Sequence, residues 1–318
     1  MVADINTAGS TFTVDSGGAA PYVFFVTVGE TRFFVADNGV TGAELWKTNG
    51  TSEGTMLVQD TLEGPESSAP ASPNVVNDVF YFVATDAEFG AELRRSDGTD
   101  EGTTIVKDIN PGPAGSSPIG FAQLNGVLYF PALSPEFGLE IWRSDGTEAG
   151  TTLLKDIMPG IRGDAGRVVV AAGRLFFHAD DGDSLEEVYT SNGTEAGTEI
   201  LLNIRVPGSS KPTPLQVVND RLFFTASDGE SGDSIGREPW TSDGITTVSL
   251  GNLNPDGDSV GRATQFQAYR GQTLFTASDS DDPMSADIWI TDGTPAGTQK
   301  LVEGRLDNLV VAGDYLYY

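Results

Sequence analysis

A tripeptide that occurs six times at nearly constant spacing limits what this chain can fold into more than any other feature. Glu44-Leu45-Trp46 comes back as Glu92-Leu93-Arg94, Glu140-Ile141-Trp142, Glu187-Val188-Tyr189, Glu238-Pro239-Trp240 and Asp287-Ile288-Trp289, in steps of 48, 48, 47, 51 and 49 residues. A period of this size exceeds that of a leucine-rich repeat and matches one four-stranded propeller blade. Each unit reads as four short strands. Strand A is a brief apolar run such as Asn74–Val76 or Leu215–Val218, followed by a tight turn (Asn125-Gly126, Asn219-Asp220) of the kind that joins two-residue hairpins. Strand B is Arg32–Ala36, Val79–Ala84, Val127–Ala132, Arg174–Ala179, Arg221–Ala226 and Thr273–Ala277. Doubled aromatics such as Phe33-Phe34 and Phe223-Phe224 put apolar bulk on both faces of strand B, which requires a neighbour on each side. Strand C carries the signature, and strand D is Met56–Gln59, Thr104–Ile109 and Thr152–Ile157 with their relatives.

The ends of the chain extend the pattern. Val2-Ala3-Asp4-Ile5-Asn6 copies Val106-Lys107-Asp108-Ile109-Asn110, the close of a strand D, while Asp307–Val311 and Tyr315–Tyr318 read as a strand A and the start of a strand B. The expectation is an all-β chain: one β-propeller domain over residues 1–318, built of four-stranded antiparallel blades. Seven blades are expected, one of them incomplete and shared between the termini, with six blades as the alternative. A last strand that stops at Tyr317-Tyr318 also reads as part of a longer chain.

Five units carry Gly-Thr-x-x-Gly-Thr between strands C and D, as in Gly146–Thr151. Thr147 is expected to cap a single helical turn and Gly150 to end it in the left-handed region. The fifth unit shortens this to Ser242-Asp243-Gly244-Ile245, so the loop is structural and dispensable.

The signature with its following turn, as in Trp142-Arg143-Ser144-Asp145-Gly146-Thr147 and Trp289-Ile290-Thr291-Asp292-Gly293-Thr294, resembles the bacterial ELWxxDGT repeat family. Arg94 and Tyr189 depart from its Trp, Pro239 from its Leu, and Asn49 and Asn192 from its Asp. The resemblance implies propellers of large secreted or surface-attached bacterial proteins. It carries over no catalytic residue.

Composition closes off several functions. A net charge of −28 argues against nucleic acid and against anionic membrane surfaces, and favours cations, neutral glycans or a basic partner. No apolar run is long enough to cross a bilayer, so membrane insertion is not expected. Cysteine is absent, which removes disulfides and thiolate chemistry. Residues 1–4 show no secretory leader, and extracellular or cell-surface localisation is the expectation drawn from the resemblance.

Four groups of residues carry candidate chemistry. The acids opening strand C, Glu44, Glu92, Glu140, Glu187, Glu238 and Asp287, are expected to be paired structural contacts between blades, with a ring of ligand sites as the alternative. The turn residues Asp97, Asp145, Asp243 and Asp292 share their slot with Asn49 and Asn192, so turn geometry, not charge, is what the slot needs. Trp46, Trp142, Trp240 and Trp289 are expected to pack between blades, and the lone His178 to be a core or channel residue. The loops between strands B and C are acidic and vary in length. Asp180, Asp181, Asp183, Asp228, Glu230, Asp233, Asp279, Asp281 and Asp282 are the candidate metal ligands there, suited to Ca²⁺, against a plain reading as solvated acid. The function expected is a non-catalytic binding or scaffolding propeller of an exported or cell-surface bacterial protein, meeting a protein or surface glycan through this acidic face, with Ca²⁺ as its one candidate cofactor. A hydrolase or lyase acting on glycans in a central channel, and a structural spacer in a surface filament, are the alternatives.

Overall fold

The computed structural model describes residues 5, 24–160, 163–183, 185–204, 208–227, 236–254, 258–260, 264–279, 287–304 and 309–317. They form strands and turns with no helix among the described residues, and the strands fall into two compact units. The first unit holds three antiparallel sheets. Sheet I is Phe25–Val28, Thr31–Asp37, Ala43–Thr48 and Met56–Gln59. Sheet II is Ala71–Val76, Val79–Asp86, Gly90–Ser96 and Thr104–Ile105. Sheet III is Ala122–Leu124, Val127–Ser134, Gly138–Ser144 and Thr152–Leu153. The second unit holds sheet IV (Val169–Ala171, Arg174–Asp180, Glu186–Ser191, Thr198–Leu202) and sheet V (Thr213–Val218, Arg221–Ser227, Arg237–Ser242, Thr247–Ser249). It also holds sheet VI (Gln267–Tyr269, Gln272–Ala277, Asp287–Thr291, Gln299–Val302) and a hairpin, Val310–Ala312 with Tyr315–Tyr317. Along the four strands given for each of sheets I to VI the pairing follows sequence order, so each repeat is a four-stranded meander.

Within each unit, successive sheets stack face to face. Phe33 of sheet I stacks on Phe80 of sheet II with centroids 4.6 Å apart, and both rings are buried. Phe223 of sheet V packs with Phe275 and Phe266 of sheet VI, while Phe224, the next residue, packs with Phe176 of sheet IV. The doubled aromatics thus fill two different interfaces, because consecutive strand residues point to opposite faces. Burial on both faces is what the hydrophobic term rewards here, at roughly 25 cal/mol per Å² of apolar surface removed from water. The first strands of neighbouring sheets I and II, and of IV and V, lie against one another.

Strand D is shorter than expected in two repeats. Sheets II and III keep only Thr104–Ile105 and Thr152–Leu153, although Val106 N–H still donates to Leu93 O at 2.8 Å and Leu154 N–H to Ile141 O at 2.8 Å. Sheets I, IV and VI carry a register shift at the signature position, between Leu45 and Trp46 in sheet I, and their ladders continue past it. One extra residue enters strand D there.

The C–D loop also differs from expectation. Gly150 does not take the left-handed conformation; Gly146 does, at φ 88°. Gly150 is needed for space, since a Cβ on it would lie 2.0 Å from Asp145 Oδ1. That oxygen accepts from Thr147 N–H at 2.9 Å and Thr147 Oγ–H at 2.7 Å, and Thr147 Oγ1 accepts in turn from Gly150 N–H at 3.0 Å. Asn49 and Asn192 accept through Oδ1 in the same pattern, which is why amide and acid share the slot. The Thr147 hydroxyl, then its amide, hold the Asp145 carboxyl below its ordinary value. Asp145→Asn is therefore expected to leave thermal unfolding within about 0.5 kcal/mol of the parent, and Asp145→Ala to cost about 1 kcal/mol. Equal losses in the two variants would show that the charge itself is required.

Candidate functional site

The strand-C acids are buried and held by a partner invisible in the signature. In sheet I, Glu44 Oε1 accepts from Ser68 N–H at 2.8 Å, and Oε2 from Ser68 Oγ–H at 2.6 Å and Thr61 N–H at 3.2 Å. Glu92 takes Ser116 N–H at 2.9 Å, Asn110 N–H at 3.1 Å and the Ser116 hydroxyl. Glu187 and Ser210 repeat this, as do Glu238 and Ser259 through the serine hydroxyl. Each serine then passes its own carbonyl to the next sheet: Ser68 to Thr85 N–H, Ser116 to Leu133, Ser210 to Ser227 and Ser259 to Ser278. A carboxylate on strand C of one sheet is thereby latched to strand B of the following one. Burial pushes the Glu44, Glu92 and Glu187 carboxyls up, against the lowering effect of the serine hydrogen bonds. Asp287 departs from this device. Its Oδ1 accepts from Gly304 N–H at 2.9 Å, and Lys300 Nζ sits 2.7 Å from Oδ2 and 2.6 Å from Asp279. Those two carboxylates, Asp279 first, hold Lys300 up at about 12. Glu140 is buried like the others.

The latches leave little free chemistry, but two repeats replace the indole of the Trp slot, with Tyr189 and with Arg94, and the arginine lines a cavity. At the Trp slot of strand C, Trp46 and Trp142 are buried, the latter packed with Val106, Ile109 and Leu153. Trp240 stacks with Phe224, and Trp289 donates its indole N–H to Ala277 O at 3.2 Å. Sheet II places Arg94 in this slot. Around it lies an open pocket of about 760 Å³, lined by Asp60, Glu63, Asp86, Phe89, Arg94 and Asp100 among others. Arg94 is 6% exposed and ion-paired with Asp86, whose other oxygen accepts from Glu88 and Phe89 N–H at 2.8 and 2.6 Å. Burial pulls the guanidinium down, and the carboxylates of Asp86, Glu44 and Glu92 hold it up. Gln59 reaches from sheet I to donate to Asp100 Oδ1 at 2.9 Å. Two buried atoms at this place have no hydrogen-bond partner, Arg94 Nε and Asp60 Oδ1. The equivalent positions of other repeats hold the same kind of unpartnered atom, Trp46, Trp142 and Trp240 Nε1 and Asp108 and Asp156 Oδ1, so these orphans belong to the repeat and not to the cavity.

Among the described residues the acidic loops do not gather. Asp180 and Asp181 accept from backbone N–H groups two residues on, Asp181 also from the Tyr189 hydroxyl at 3.1 Å, and Asp279 is engaged by Lys300. Asp183 is exposed. Asp228, Glu230, Asp233, Asp281 and Asp282 lie outside the described residues. Among the described residues no three His, Asp or Glu side chains converge as a metal site. His178 is one third exposed, with Nδ1 3.1 Å from Glu186 Oε1.

The sequence reading missed Ser68, Ser116, Ser210 and Ser259, though a serine 24, 24, 23 and 21 residues after each glutamate was there to be found. It noted Arg94 only as a departure from the motif. The readable signal was a buried-slot arginine with an acid, Asp86, eight residues before it.

No family model and no curated protein matches this chain. Solved structures that it resembles include one from a study of two prolyl endopeptidases, at 13% identity and TM-score 0.49, covering 88% of this chain and 41% of that one. A Mycobacterium tuberculosis puromycin-hydrolyzing peptidase follows at 14% and 0.45, covering 90% and 46%. A puromycin hydrolase S511A mutant complexed with PGG stands at 13% and 0.42, covering 87% and 44%. The chain spans under half the length of these structures. They correct the function expected from sequence: the neighbours are peptidases and a hydrolase, and a non-catalytic binding or scaffolding module of an exported or cell-surface protein is not the company found.

Proposed function

We propose that this chain is a β-propeller of seven blades, one shared between its ends, and that it holds polypeptide substrate for a peptide-hydrolysing protein in the pocket around Arg94. The six consecutive meanders and the serine latches support the propeller, because within each unit successive sheets pack face to face and a serine ties each to the next. The peptidase setting is an analogy at the level of the fold. The observation that carries the substrate half is the chain's own: Arg94 stands where four of the other five repeats place an indole, and it lines an open cavity with Asp60, Glu63, Asp86 and Asp100. Polypeptide offers such carboxylates an N–H donor at every residue but proline.

A mixed library of short peptides tests this. The parent protein is expected to retain a defined subset, and Arg94→Trp, which refills the slot, to lose it. Equal retention by both proteins would place polypeptide binding elsewhere, and no retention by either would dismiss the reading.

A further inference from the structure

We propose that Asn125, in the turn between the first two strands of sheet III, is a self-modifying site. Its side chain loses ammonia through a cyclic imide formed with Gly126, and the turn ends as aspartate or isoaspartate. This is independent of the polypeptide reading and concerns a different sheet.

Asn-Gly is the dipeptide in which such ring closure is least hindered, because glycine sets no side chain beside the attacking nitrogen. The chain has four: Asn38-Gly39, Asn49-Gly50, Asn125-Gly126 and Asn192-Gly193. Closure requires the glycine nitrogen to give up its hydrogen and the asparagine Cγ to swing onto it. In three of the four, hydrogen bonds oppose both events. Gly39 N–H donates to Asp37 Oδ1 at 2.7 Å, Gly50 N–H to Thr48 Oγ1 at 3.0 Å and Gly193 N–H to Ser191 Oγ at 3.0 Å. Asn38 Oδ1 accepts from Val40 and Thr41 N–H, Asn49 Oδ1 from the Thr51 amide and hydroxyl, and Asn192 Oδ1 from those of Thr194. Asn125 is exposed, and among the described residues its side chain has no hydrogen-bond partner and Gly126 N–H no acceptor. Asn77, at the same turn position in sheet II, is followed by Asp78 and donates across to Gly126 O at 3.3 Å.

The reaction needs only water. Gly126 N passes its hydrogen to solvent base and bonds to Asn125 Cγ; the Cγ–Nδ2 bond breaks, and the nitrogen takes up a proton and leaves as ammonia. Water then opens the imide, at Cγ to give aspartate or at the main-chain carbonyl to give isoaspartate, whose backbone runs through Cγ. Isoaspartate adds a methylene to a two-residue turn held at φ 53° and 78°, and so displaces Gly126 O from Asn77.

Peptide mapping by mass spectrometry tests this, after the intact chain has stood at mildly alkaline pH either folded or in urea. In urea the four sites are expected to lose ammonia at similar rates. In the folded protein Asn125 is expected to react at least about tenfold faster than each of Asn38, Asn49 and Asn192, which must first break hydrogen bonds. Asn125→Gly, which suits the left-handed turn, is expected to abolish the early release of ammonia. A smaller advantage at Asn125 in the folded protein, or early release unchanged in Asn125→Gly, overturns the proposal.

Discussion

Glu92→Ala is expected to cost the first unit about 3–5 kcal/mol, a fall in melting temperature on the order of 10 °C, whereas Glu92→Gln stays within about 1 kcal/mol of the parent. Glu92 is fully buried and accepts from Ser116 N–H, the Ser116 hydroxyl and Asn110 N–H. Alanine strands all three donors away from water, at roughly 1–3 kcal/mol for each that stays unpaired, and leaves a cavity. Glutamine keeps an oxygen for the two backbone groups, and its amide donates to the serine hydroxyl instead of accepting from it. The pH dependence separates the two further. Burial raises the Glu92 carboxyl above its ordinary 4.5, so the folded protein binds that proton more tightly than the unfolded chain. Its favourable contribution is complete below 4.5 and is lost as pH rises through the raised folded value. The parent is therefore expected to melt higher as pH drops from neutral toward that range, and Glu92→Gln to show a shallower slope. Identical slopes, measured by calorimetry between pH 5 and 8, would remove the buried carboxylate as their source.

Gly90→Ala is expected to be as damaging, about 3 kcal/mol or more. Gly90 opens strand C of sheet II at φ 67°, where a side chain is strained, and an added Cβ would lie 2.5 Å from Pro113 O and 2.6 Å from Gly115 N. Both are backbone atoms, so no rotamer change relieves the contact. Gly42 makes the same approach to Glu66 in sheet I. The closeness has a purpose: it brings the D–A loop against strand C, Ser117 N–H bonds Ala91 O at 2.9 Å, and Ser116 is thereby delivered to Glu92. A Gly90→Ala protein that melts like the parent would show that the loop can retreat without losing the latch.

The corrections share a physical cause. The C–D loop was read from a local capping pattern, and the pattern is real, yet the glycine that turns left-handed is Gly146, while Gly150 clears space for Asp145. Residue type alone does not separate a glycine needed for its φ from one needed for its size. Strand D reads as one run in sheets II and III, whereas its regular ladder covers only Thr104–Ile105 and Thr152–Leu153 and goes on as a single hydrogen bond from the next residue.

Taken by itself, the sequence determined the repeat, the four strands of each unit, the tight turns and the two-sided burial of strand B, because these depend on neighbours within a few positions and on a period that survives substitution. Only the tertiary structure decided which serine meets Glu44, Glu92, Glu187 and Glu238, and that Arg94, in a slot most repeats fill with an indole, lines an open pocket with four acids. Those contacts join segments 21 to 24 residues apart in chain or sit between two sheets, so they exist only once packing has brought the loops to their partners.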